Sequence, residues 1–161
     1  MEKHPIEKIA FAKEPSRSAM NYGGSCVNGK YYWHYFTLDG KKFSGDGMEF
    51  GPFYDMLEKP GDYFPFCCSY CGVSGCDGIF VPIRCIHSGD EIVLIIREPM
   101  AENCSPFCDE YDGCKLTRSD VILCPLYHVK YRAHRVKKAQ MREALAELER
   151  WTPPPEGAAT V

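Results

Sequence analysis

The sequence predicts an α+β domain, an antiparallel sheet of about five strands packed by a C-terminal helix, with a cysteine-rich, metal-braced loop region. Three observations predict it. Several runs alternate with a period of two, turn dipeptides stand between them, and a late segment changes to helical spacing. At 161 residues the chain is the size of one ordinary domain. Apolar residues make up 45% and charged residues 25%, which are globular proportions. An aromatic content of 13% suits a sheet. A formal net charge of −3 is too small for DNA mimicry or bulk polyanion binding.

Residues 1–21 read as an N-terminal arm with Ile6, Ile9 and Phe11 as anchors, residues 22–151 as the single domain, and residues 152–161 as a disordered tail. A hairpin follows the arm. Tyr31, Trp33, Tyr35 and Thr37 alternate with Tyr32, His34, Phe36 and Leu38, and Asp39-Gly40 turns the chain before Lys41-Lys42-Phe43. The segment from Phe53 to Glu58 predicts a short helix stopped by Pro60-Gly61. Ile79 to Ile86 and Glu91 to Glu98 read as a second hairpin around Ser88-Gly89-Asp90. Its second run is apolar on both faces and predicts a central, covered strand. Tyr127 to His134 alternates cleanly, with an apolar face and a basic face that carries His128, Lys130, Arg132 and His134 outward. From about Lys137, residues Met141, Ala144, Leu145 and Leu148 fall at helical spacing, and Trp151 stands where it can pin the helix end before Thr152-Pro153-Pro154-Pro155.

The ten cysteines carry the strongest motif. Charged residues 1–8 lack the apolar core of a signal peptide, and Ile92 to Ile96 is too short to span a bilayer. The expectation is a cytoplasmic protein with reduced thiols and no membrane partner, in which clustered cysteines bind metal. Cys26 and Cys85 stand alone in sequence and read as core filling. Cys68-Ser69-Tyr70-Cys71-Gly72, followed by Cys76, has two thiolates at chelating spacing, and its glycine lets the backbone turn its amides toward the sulfurs. A second cluster holds Cys104, Cys108 and Cys114. With the hairpin turn near Gly89, residue 76 falls roughly opposite residue 102, so the two clusters meet. Zinc on Cys68, Cys71 and Cys76, completed by Cys104 or Cys108, is the expected site. A second ion on Cys108, Cys114 and Cys124 is the secondary expectation.

Structural zinc is favoured over catalytic zinc, because His87, His128 and His134 show no spacing tied to a carboxylate. A cysteine nucleophile among Cys67, Cys68 and Cys71 lacks a local protease signature, and a thioredoxin-like role lacks its flanking strand and helix. The remaining feature is basic. Lys130, Arg132, Arg135, Lys137, Lys138 and Arg142 follow one another without an intervening acid, as a solvated face or as a contact for an acidic protein or a nucleic-acid backbone. Lysine in a first helical turn opposes the dipole, which favours a purpose other than stability.

The stretch C-S-Y-C-G-V-S-G-C-D-G-I from Cys68 to Ile79 resembles a motif of small uncharacterised bacterial proteins. These carry Cys-x-x-Cys-Gly-x-x-Gly-Cys, then a strand hairpin and a final helix. The resemblance covers residues 30–100 and, loosely, 127–150; Cys104, Cys108 and Cys114 depart from it, and no activity transfers with it. The functional expectation is a non-enzymatic protein-binding, inhibitor or adaptor protein with structural zinc. The alternatives are a nucleic-acid-associated module using residues 128–142 and a cysteine- or zinc-dependent enzyme.

Overall fold

The computed structural model describes residues 5–16, 19–45, 47–69, 72, 83–98, 121–124 and 129–155. Strands β1 (Ile9–Pro15), β2 (Gly24–Val27), β3 (Lys30–Leu38) and β4 (Lys41–Phe43) form a four-stranded antiparallel sheet. β1 lies along one side of β3, while β2 and β4 pair with opposite ends of its other side. Two tight turns set the β2–β3 and β3–β4 registers. Asn28-Gly29 and Asp39-Gly40 each place two successive residues at positive φ (53° and 78°, 48° and 80°), the geometry that matches strand twist in a two-residue hairpin. β3 alternates as its sequence predicts: Tyr32, His34, Phe36 and Leu38 are buried, and the residues between them are half-buried.

The second sheet is larger. β6 (Gly61–Tyr63), β8 (Ile83–Ser88), β9 (Glu91–Glu98), β10 (Val121–Cys124) and β11 (Val129–Lys137) pair antiparallel in the order β10-β11-β9-β8-β6. β9 is central, as its two apolar faces predict, and Ile92, Leu94, Ile95 and Ile96 are all buried. A two-stranded ribbon of β5 (Gly47–Met48) and β7 (Phe66–Cys67) is the third sheet. Helix α1 (Gly51–Glu58) carries Pro52 in its first turn and ends before Pro60, and α2 (Lys138–Glu149) follows β11 directly. α2 buries Met141, Ala144, Leu145 and Leu148, the predicted stripe. One core joins these pieces, with Phe36, Phe53, Ile83, Leu94, Val136 and Leu145 drawn from both large sheets and both helices.

Four expectations need correction. The chain builds three sheets among the described residues instead of one sheet of about five strands. The segment read as an arm contains β1, paired with β3 along seven residues from Ile9↔Leu38 to Pro15↔Tyr32, because Ile9 has core to fill. Cys26 is exposed on an edge strand, whereas Cys85 is buried as predicted. His134 is buried, not outward: its ring packs edge-on to Phe43 at 5.7 Å. No helix of the described residues is long and apolar enough to cross a membrane.

Candidate functional site

The root of the cysteine segment is anchored through backbone groups. β7 pairs Cys67 with Gly47, and the Ser69 carbonyl accepts the N–H groups of Asn21 and Tyr22 at 3.0 and 3.1 Å. The Gly72 N–H donates to the Cys68 carbonyl at 2.8 Å, and Gly72 has a φ of +76°. The chain therefore turns back at the glycine after the second cysteine position, in a conformation that L side chains rarely adopt. A Cβ at Gly72 would lie 2.8 Å from the Tyr22 ring. Cys68 is half-buried; Cys71, Cys76, Cys104, Cys108 and Cys114 lie outside the described residues. Among the described residues no three potential ligand side chains converge.

Cys85 and His87 are both directed at one main-chain carbonyl. Cys85 points its thiol at the Met56 carbonyl (3.6 Å), and burial pushes that thiol up to about 12, far from a reactive thiolate. His87 donates from Nε2 to the same carbonyl at 2.6 Å. Cys124 sits in β10 opposite Val129, and His128 lies outside the described residues.

The basic residues divide between surfaces. Lys130 stands opposite Glu98 in the ladder, and Arg132 opposite Ile96. Strand alternation puts Arg132 on the same face as His134 and Val136, and puts Arg135 and Lys137 on the other. Arg135 reaches Glu91 at 2.5 Å, and Lys137 reaches Asp90 at 2.8 Å. The Lys138 N–H donates to the Asp90 carbonyl at 2.9 Å. The Lys137 hydrogen bond and charge hold the Asp90 carboxyl below its ordinary range. The β8–β9 turn thus supplies the negative charge that the helix start lacks in its own sequence.

A constellation that sequence reasoning missed lies where β2, β3 and β5 meet. The register Ser25↔Tyr32 makes Ser25 a diagonal neighbour of His34 on one face. Ser25 Oγ is 2.6 Å from His34 Nε2, and His34 Nδ1 is 2.8 Å from the Met48 carbonyl. Phe50 stacks on the imidazole at 4.2 Å with 24° between planes. Gly23 delivers the carbonyl: it has a φ of +69°, its own carbonyl accepts the Met48 N–H at 3.0 Å, and a Cβ on it would sit 2.5 Å from Gly47 Cα. Its N–H donates to Glu49 at 2.8 Å.

The proton positions follow from chemistry. A carbonyl only accepts, so Nδ1 carries the hydrogen. Burial pushes the His34 pKa below its ordinary value, and Lys13 adds to the shift, while the Met48 bond and Glu49 oppose it. The ring is therefore neutral near neutral pH, and Nε2 presents its lone pair to the Ser25 hydroxyl. Asn28-Gly29 was the available signal, since it sets the hairpin register that brings Ser25 beside His34. Compared with known proteins, the chain matches no protein-family model, no curated protein and no solved structure.

Proposed function

We propose that this chain is a protein-binding module whose cysteine-rich segment is braced by structural zinc, acting in a cytoplasmic setting that keeps its thiols reduced. The observation that carries the binding reading is the outward face of the five-stranded sheet. Antiparallel partners share a face, so Ile86, Val93 and Arg135 form one row across β8, β9 and β11. Ile86 is 42% exposed in that row. Around it stand three ion pairs: Arg84 with Asp62, Arg135 with Glu91, and Lys137 with Asp90. Exposed Ile86 beside half-buried Val93, inside a ring of mixed, mutually neutralised charge, suits a protein surface. It suits a nucleic-acid backbone poorly, because two of the five basic residues already face carboxylates and Arg132 lies on the opposite face.

The zinc reading rests on the Gly72 turn, which folds the chain back one residue after the second position of the Cys-x-x-Cys spacing. Cys68, Cys71 and Cys76, with Cys104 or Cys108, would hold the ion, and it would supply a folding constraint of about 10–16 kcal/mol of apparent binding energy. Protein purified without added metal and with protected thiols is expected to carry at least one equivalent of zinc by elemental analysis. Less than half an equivalent of any transition metal overturns that part. For the binding part, affinity capture is compared for the parent and Ile86→Asp, each with nuclease. A partner retained after nuclease and lost in the folded variant is expected; capture abolished by nuclease overturns the reading.

A further inference from the structure

We propose that Ser25 is a base-activated nucleophile toward carboxylic esters, with His34 as its general base and the Met48 carbonyl holding the imidazole in the reactive tautomer. The inference goes beyond the binding reading and uses none of its residues. A serine hydroxyl is a weak nucleophile until a base takes its proton, and the base must be aimed by a third group. All three parts are present at hydrogen-bond distance: Oγ to Nε2 at 2.6 Å and Nδ1 to the Met48 oxygen at 2.8 Å. A backbone carbonyl here takes the place that a carboxylate fills in the familiar triad, fixing which nitrogen carries the proton. His34 is 7% exposed, whereas Ser25 is half-buried on a strand with an open side, so the base is enclosed and the hydroxyl is at the boundary.

The edge position of β2 supplies the remaining requirement. Val27↔Lys30 closes a two-residue turn and is a hydrogen-bonded pair, so by alternation Ser25↔Tyr32 is one too. The N–H groups of Gly24 and Cys26, on either side of Ser25, then point away from β3. Among the described residues no strand pairs along that edge of β2. Donors directed beside the nucleophile are what a developing oxyanion needs.

The reaction balances with ester and water alone. Ser25 Oγ bonds to the acyl carbon as its proton passes to His34 Nε2, and the carbonyl π pair moves onto oxygen. Collapse breaks the bond to the alkoxy group, which leaves as an alcohol with the proton from Nε2. Water then adds to the acyl–Ser25 carbon while Nε2 takes its proton. Collapse frees the acid and restores the Ser25 hydroxyl.

The deciding experiment is covalent labelling with an alkyl fluorophosphonate, read by intact mass and peptide mapping. The reagent prefers activated serine, which matters in a chain with ten cysteines that an activated ester would acylate. The expected result is one adduct on Ser25, with the labelling rate reduced about 100-fold or more in His34→Gln. In the parent, the rate should fall as acid protonates His34, whose titration is set first by burial and then by the Met48 bond, Lys13 and Glu49; this readout holds if the variant fails to fold. Absence of an adduct at Ser25, a rate indifferent to pH, or equal labelling of a folded His34→Gln overturns the proposal.

Discussion

His34 and His134 are both buried histidines on sheet strands, and both make their Nδ1 hydrogen bond to an oxygen. They differ in what the other nitrogen meets. At His34, Nε2 faces the Ser25 hydroxyl at 2.6 Å. At His134, Nδ1 pairs with Glu7 at 2.6 Å, and Nε2 is buried with no hydrogen-bond partner among the described residues. One ring therefore links a backbone carbonyl to a half-buried hydroxyl. The other has Phe43 edge-on beside its ring. The lesson is that burial alone does not mark a functional histidine; the chemistry at its second nitrogen does.

The largest expected effect tests the His34 side of that contrast. His34→Leu removes both hydrogen bonds and the stacking on Phe50. It leaves the carbonyl of Met48, a fully buried residue, to find another donor. An unsatisfied buried acceptor and a lost ring contact together are expected to cost about 2–4 kcal/mol by urea unfolding. A cost below about 1 kcal/mol means that His34 does not organise the junction of β2, β3 and β5.

The same two sites show what sequence makes legible. β3, the turn at Asp39-Gly40 and the stripe from Met141 to Leu148 were readable because periodicity and turn chemistry are local. Partnering was not. β1 joins β3 from the far side of a hairpin, and β6 joins β8 across the cysteine segment, so the number of sheets could not be read from alternation. His34 stood in plain view within its strand, but its partners are a serine across Asn28-Gly29 and a main-chain oxygen, which has no sequence signature. The basic run misled for the same reason. It contains no acid, yet Asp90 and Glu91 reach it from the neighbouring hairpin through the β9–β11 ladder.

A second prediction concerns pH. Burial lowers the His34 pKa in the folded protein, so the unfolded chain binds the proton more readily. The contribution of this site is fully present above the ordinary histidine value of 6.5 and is lost progressively as pH falls below it, toward the lower folded value. Carboxylates titrate in the same acidic range, so the useful quantity is a difference. Unfolding free energy measured between pH 7.5 and 5.5 should decline more steeply for the parent than for His34→Gln. Parallel curves for the two proteins show that the folded state does not disfavour the charged ring.

The smallest effect belongs to His134. His134→Phe deletes the nitrogen that has no partner among the described residues and keeps a planar ring against Phe43. It also removes the hydrogen bond to Glu7, but that side chain is 23% exposed and turns to water at little cost. The segment stays attached, because the Glu7 N–H donates to the Arg135 carbonyl at 2.8 Å and Lys8 is held by Asp39. Loss of one hydrogen bond is offset by relief of an unsatisfied buried atom, so the net change is expected to stay within about 1 kcal/mol. In thermal unfolding that is a shift of a few degrees, about 2–4 °C for a chain near this size. Replacement of one buried histidine would then cost severalfold more than replacement of the other, although the two are almost equally hidden from solvent. A His134→Phe loss as large as that of His34→Leu would erase the distinction and make both rings core residues of the same kind.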